Sequence, residues 1–146
     1  MGKPLPASLE EGWKPAVTVE RTLVDTDILI DVAREFPRAV QFWRRTEARS
    51  QMVCSVISIL ELLSECRNLQ EQQTTLKNFS GIEILHIESG DSLDALRWYQ
   101  ALHLSQGIGF LDCFIAAAAT RLDCVLHTLN LKHFRVIAGL QVKRPY

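Results

Sequence analysis

The sequence lacks an excess of charge of either sign: 16 Lys and Arg stand against 17 Asp and Glu, for a formal net charge of -1. That balance excludes a protein that holds nucleic acid mainly by bulk positive charge. It leaves room for a nuclease, because a metal site needs carboxylates of its own. No apolar run approaches the roughly 20 residues that cross a bilayer. The first residues lack the basic-then-apolar order of a secretion signal. The expectation is a soluble cytoplasmic protein with no membrane partner. Cys54, Cys66, Cys113 and Cys124 lack any C-x-x-C spacing, and each sits in an apolar run. They read as reduced core residues rather than a disulfide framework or a structural zinc site. There is no internal repeat and no low-complexity segment.

What is present suffices for one domain with a real core: 146 residues, 47% hydrophobic and 23% charged. Residues 1–20 hold three of the five prolines and no sustained apolar period. They are expected to form an irregular N-terminal extension, with Trp13 and Val17 able to dock, ahead of a domain over 21–146. Arg21 to Asp25 predicts a strand, and Thr26-Asp27 opens a helix. Pro37 suits the first turn of a second helix running to about Arg49. Further strands are predicted over Gln51–Val56, Ile82–Ile87, Cys124–Thr128 and Leu140–Val142. Helical pattern lies over Ser58 to about Asn78, Asp91–Leu104, Leu111–Leu122 and Leu131–Phe134. Strands separated by helices imply an α/β fold with a mostly parallel central sheet and helices on both faces.

In open α/β sheets, ligands bind beyond the carboxyl ends of the strands. Asp25, Thr26 and Asp27 come after the first strand, and Ser58 and Glu61 after the second. Asp112 opens the helix before the fourth strand, and Asn130 lies just past that strand. Singly, each has a structural explanation. Ser58-x-x-Glu61 matches a capping box, Asp27, Asp112 and Asn130 suit helix caps, and Asp31 suits a solvated helix face. Thr26 and Thr128 suit strand-end hydrogen bonding. Jointly, Asp25, Glu61 and Asp112 at one sheet edge would repel one another unless a cation neutralised them. Hard oxygen donors without His or Cys suit Mg²⁺ or Mn²⁺. An ion so held activates water and stabilises phosphodiester cleavage.

Four segments, in order, resemble the motifs of PIN domains, and of VapC toxins in particular: Leu23 to Asp31, Ser58 to Leu63, Gly107 to Ala117 and Thr128 to Phe134. The resemblance spans about residues 21–143. It implies a three-layer α/β/α PIN-like domain and a Mg²⁺- or Mn²⁺-dependent endoribonuclease, the toxin of a toxin–antitoxin pair. It implies Asp25, Glu61 and Asp112 as the acidic metal site. Asn130 stands where some members have a fourth acid and others Asn. Asp27 stands where Asn is frequent, which implies a supporting or capping role. Thr26, Ser58 and Thr128 would support the acids from behind. Further implied partners are an RNA substrate, an antitoxin segment in a groove beside Phe36, Phe42 and Trp43, and a second copy of the chain. Leu62, Leu63 and the Ala116–Ala119 helix are candidate faces for the second copy.

Arg34, Arg38, Arg44 and Arg45 form one basic stretch, and Lys132 and His133 belong to another. Either can track an RNA backbone, or be a solvated helix face. His86 and His127 read as strand residues. Two other functions remain open. A non-catalytic PIN-like module would bind RNA or protein only. A haloacid-dehalogenase-type phosphotransferase would use the Asp-x-Asp after the first strand, but it needs a later paired acidic motif that the sequence lacks.

Overall fold

Alternation of side chains along the strands decides the two faces of the sheet. Strands β1 (Arg21–Val24), β2 (Gln51–Ser55), β3 (Glu83–Leu85), β4 (Leu126–His127) and β5 (Val142–Lys143) form one sheet in the order β3-β2-β1-β4-β5. Every pairing is parallel. Leu23, Val53 and Leu126 enter one buried cluster, while Val24, Met52 and Cys54 enter the other. Because both faces are covered, the strands read as continuous apolar runs. The computed structural model describes residues 18–146. Residues 1–17, including Trp13 and Val17, lie outside the described residues, so the lead-in expected over 1–20 is described only at 18–20, which carry no regular structure.

The helices are α1 (Thr26–Ala33), α2 (Pro37–Glu47), α3 (Val56–Ser64), α4 (Leu69–Asn78), α5 (Ser89–Gln106), α6 (Phe110–Leu122) and α7 (Leu131–Phe134). Ile28 and Leu29 of α1, Phe42 and Trp43 of α2, and Ile59 and Leu62 of α3 cover the Val24 face. Ala95 of α5, the small residues of α6 and Phe134 of α7 cover the Leu23 face. The result is three layers. Each fully buried Leu or Ile contributes about 2 kcal/mol by leaving water.

The chain runs from β1 outward through β2 to β3, then returns to place β4 on the other side of β1. The segments leaving the ends of β1 and β4 therefore emerge next to each other, at the place where ligands bind in such sheets.

Several boundaries differ from expectation. Helix α3 starts at Val56, because Ser55 ends β2 and its Oγ accepts the Ile57 N–H at 3.2 Å. Ser58 is thus a fully buried helix residue, and the capping box at Ser58-x-x-Glu61 is not formed. Asp25, not Asp27, caps α1, and Gly109, not Asp112, stands at the start of α6. Asn130 precedes α7 without a side-chain cap. The helical stretch after β2 is broken: α4 begins separately at Leu69, capped by Asn68. Strand β3 stops at Leu85, so His86 lies beyond it. Asp31 is not simply solvated, since it accepts the Tyr146 hydroxyl at 3.0 Å. Leu62 and Ala116–Ala119 are at most 4% exposed, and Leu63 packs against the core, so none offers a dimer face. Phe36 is exposed.

Candidate active site

The Asp25 N–H donates to the His127 carbonyl at 2.9 Å, extending the β1–β4 ladder one residue past the strands. This fixes Asp25 at the sheet edge. Its Oδ1 accepts the Thr26 N–H at 2.7 Å, and its Oδ2 accepts the Thr128 hydroxyl at 2.7 Å. Asp27 Oδ2 lies 3.3 Å from the same hydroxyl and accepts the Leu129 N–H at 2.9 Å. One hydroxyl carries one proton, and the shorter contact takes it. The Asn130 N–H donates to Thr128 Oγ1 at 3.0 Å. Both threonine hydroxyls thus face acids. The Thr26 hydroxyl donates to Glu61 Oε1 at 2.7 Å, tying α3 to the residue next to Asp25.

Asp112 sits in the first turn of α6, where the helix dipole favours negative charge. A Cβ on Gly109 would stand in ordinary contact with Asp112 Oδ2, at 3.4 Å. Asp112 Oδ2 lies 3.2 Å from His133 Nδ1, and the side-chain amide of Asn130 reaches that same nitrogen at 2.8 Å. The structure therefore joins Asp25, Asp27, Thr128 and Asn130 directly, Glu61 through Thr26, and Asp112 through His133. It does not bring the three acids into one closed cage. Among the described residues, no three His, Cys, Asp or Glu side chains are grouped closely enough to hold a metal by themselves.

Asp25 is 6% exposed. Burial pushes its carboxyl up to about 7, and the Asp27 charge adds to this. The hydrogen bonds from Thr128 and Thr26 pull the other way, while Asp112 contributes a further, smaller rise. Asp27 is also raised, chiefly by burial. Among the described residues, no Lys or Arg pairs with Asp25, Asp27, Glu61 or Asp112. Among the described residues, nothing pairs with the buried Asp27 Oδ1 or Ser58 Oγ. Buried negative charge, oxygen donors and an unpartnered carboxylate oxygen fit a hard divalent cation. A thiolate ligand does not fit, since burial pushes the neighbouring Cys113 thiol up to about 11.

The basic residues are dispersed. Arg34 pairs with Glu65 at 3.5 Å. Arg38, Arg44, Arg45 and Lys132 are exposed. The groove expected beside Phe36 and Phe42 is partly filled by the chain itself, since the Tyr146 ring lies 6.0 and 6.2 Å from theirs. A recess of about 550 Å³ lies between α1, α3 and α4 and not at the acids. Sequence reasoning placed His133 at a phosphate and missed its contact with Asp112. The usable signal was its spacing of three from Asn130 across a helical turn, which puts the two on one side.

Comparison with known proteins gives a consistent picture. The PIN domain family matches residues 22–140. The chain is similar to ribonuclease VapC10 of Mycobacterium tuberculosis, with 29% identity over 126 residues, covering 85% of this chain and 92% of that protein. Its fold matches a chain of a toxin–antitoxin complex from Klebsiella pneumoniae, at a TM-score of 0.70 and 28% identity, over 86% of this chain and 98% of that one. VapBC-1 from nontypeable Haemophilus influenzae shares the fold at a TM-score of 0.70 and 24% identity, over 86% of this chain and 98% of that one.

Proposed function

The chain belongs to the PIN domain family, and on that premise we propose that it is a metal-dependent endoribonuclease, the toxin of a toxin–antitoxin pair. The observation that carries the reading is Asp25: a carboxyl 6% exposed, pushed up by burial and by Asp27, at the switch point of a parallel sheet, with no Lys or Arg against it among the described residues. Such a group costs stability when ionised and becomes favourable around a cation. VapC10, the similar protein, is itself named a ribonuclease.

Asp25, Glu61 and Asp112 would hold the ion, Mg²⁺ or Mn²⁺, with Asn130 beside them to orient water. When bound, such an ion lowers the pKa of water and stabilises an in-line displacement at phosphorus. The chain's own residues do the rest. Thr128 and the Thr26 N–H hold the Asp25 carboxylate from behind, each using one lone pair of an oxygen that has two. The Thr26 hydroxyl fixes Oε1 of Glu61, and among the described residues no hydrogen bond engages Oε2. Asp27 braces the loop after β4 through the Leu129 N–H. Arg38, Arg44, Arg45 and Lys132 would meet RNA phosphates by charge.

The partners come from the same reading. The antitoxin segment is assigned to the recess between α1, α3 and α4, lined by Arg34, Leu62, Glu65 and Cys66. A second copy is assigned to the face of α5 bearing Leu93, Leu96 and Leu104, which are 70%, 66% and 95% exposed. Among the described residues, no helix is long and apolar enough to cross a membrane. The cytoplasm, where RNA is, is the compartment of this proposal.

The test is cleavage of total RNA by the purified chain in Mg²⁺ or Mn²⁺, with chelator and with Asp25→Asn as controls. Cleavage at wild-type rate in chelator, or by the variant, would overturn the proposal. The uncharged Asn130 favours a second reading, a module that binds RNA without cutting it. RNA bound but intact in saturating Mn²⁺ would decide for that module.

A further inference from the structure

His133 touches both sides of the proposed metal centre. Its Nδ1 lies 3.2 Å from Asp112 Oδ2, on α6, and 2.8 Å from the Asn130 amide, at the start of α7. The placement is built from both directions. Phe134, the next residue, is fully buried and anchors the α7 turn in the core beneath the sheet. Asn130 and His133 are three apart across that single turn, so they share a side. On the other element, the first turn of α6 carries Asp112 to the ring.

One arrangement lets the single Nδ1–H engage both neighbours, shared between Asp112 at 3.2 Å and Asn130 at 2.8 Å. A carboxylate only accepts, so the imidazole donates Nδ1–H to Asp112. A nitrogen that donates has no lone pair for an N–H donor. Asn130 therefore turns its amide oxygen toward the shared proton. The carboxylate and the amide become one unit, locked through one ring nitrogen. Side chains that fix ligands from behind in this way set metal affinity as much as the ligands do, and losing one costs roughly 10- to 100-fold.

We infer that His133 is a positioning residue: by donating Nδ1–H to Asp112 while engaging Asn130, it orients both for a single divalent ion without ligating that ion. The inference rests on the proposed metal centre. In place of a fourth acid, the site uses a neutral amide held by this ring.

The experiment is Mn²⁺ titration by calorimetry of the full chain and two variants, with electron spin-echo spectroscopy of the bound ion. Wild type is expected to bind one Mn²⁺ with no directly coordinated nitrogen. His133→Ala is expected to weaken binding by about tenfold. His133→Asn, whose amide nitrogen stands near the place of Nδ1, is expected to recover most of that loss. Melting temperatures should agree among the three, since the His133 side chain is 38% exposed. A wild-type chain that binds no Mn²⁺ removes the metal-centre reading and this role with it. Equal affinity of wild type and His133→Ala removes the role alone. A nitrogen coordinated to Mn²⁺ also overturns it, because His133 would then be a ligand.

Discussion

The molecule buries two aspartates in opposite ways. Asp91, 3% exposed near the start of α5, is met by Arg121 from α6, whose Nε and Nη2 lie 2.9 and 3.1 Å from its two oxygens. Asp91 also accepts the Glu88 N–H at 3.0 Å, completing a capping box. Asp25, 6% exposed at the end of β1, has hydroxyl and amide donors but, among the described residues, no Lys or Arg. The first is a closed structural device that joins α5 to α6. The second is left electrostatically open, and Asp27 and Asp112 make it more so. An acid buried with its cation built in holds a fold together. An acid buried without one, at a sheet's switch point, is what the proposed metal centre requires.

The largest expected effect separates the two in activity. Asp25→Asn or Asp112→Asn should reduce RNA cleavage by at least about 10³-fold, since a metal's charge stabilisation is worth several kcal/mol. Asp91→Asn should leave cleavage per folded molecule near wild type. The next effect separates them in stability. Arg121→Ala strands a buried carboxylate and should cost about 3 kcal/mol, read as a lowered midpoint in urea. If Asp25→Asn costs as much in chelator, the two sites are not opposites.

Their pH responses should also differ. The Asp25 carboxyl, raised in the fold from 3.8 to about 7, binds its proton more tightly folded than unfolded. Its contribution is therefore present in acid and lost as pH rises from about 4 through about 7. In chelator, wild type should lose melting temperature over that window relative to Asp25→Asn. Saturating Mn²⁺ should close the gap by favouring the ionised form. An identical pH profile for wild type and Asp25→Asn in chelator would mean that Asp25 is not an open acid.

Much of this arrangement was legible in the sequence. Apolar runs of strand length, separated by helical periods, were enough for a parallel α/β sheet, and the sheet rule then gathered Asp25, Thr26, Thr128 and Asn130 at one edge. Local spacing misled where two elements compete for the same residues. Ser58-x-x-Glu61 has the form of a cap, but Ser55 reaches the Ile57 N–H first and starts α3 three residues earlier. Hydrophobicity alone did not separate core from surface. Leu62 and Ala116–Ala119 are buried, while Leu104 is 95% exposed, because helix rotation is set by tertiary packing. The His133–Asp112 contact joins α7 to α6 across 21 residues and needs the fold to be seen.

The smallest effect tests the open acid at its support. The Thr128 hydroxyl donates to Asp25 Oδ2 at 2.7 Å and lowers the carboxyl's pKa. Thr128→Val keeps the shape in a fully buried position and removes the hydroxyl, both as donor to Asp25 and as acceptor of the Asn130 N–H, at a cost of about 1 kcal/mol for each bond. Without it, Asp25 ionises less readily, and a cation needs the ionised form. The pH at which Mn²⁺ binding reaches half its maximum should therefore move upward in Thr128→Val and return in Thr128→Ser, as followed by calorimetry between about pH 6 and 8. No such donor swap exists at Asp91, where a guanidinium supplies the charge. A midpoint that stays fixed or moves down would mean that the hydroxyl only packs there, and that something other than Thr128 keeps Asp25 available to an ion.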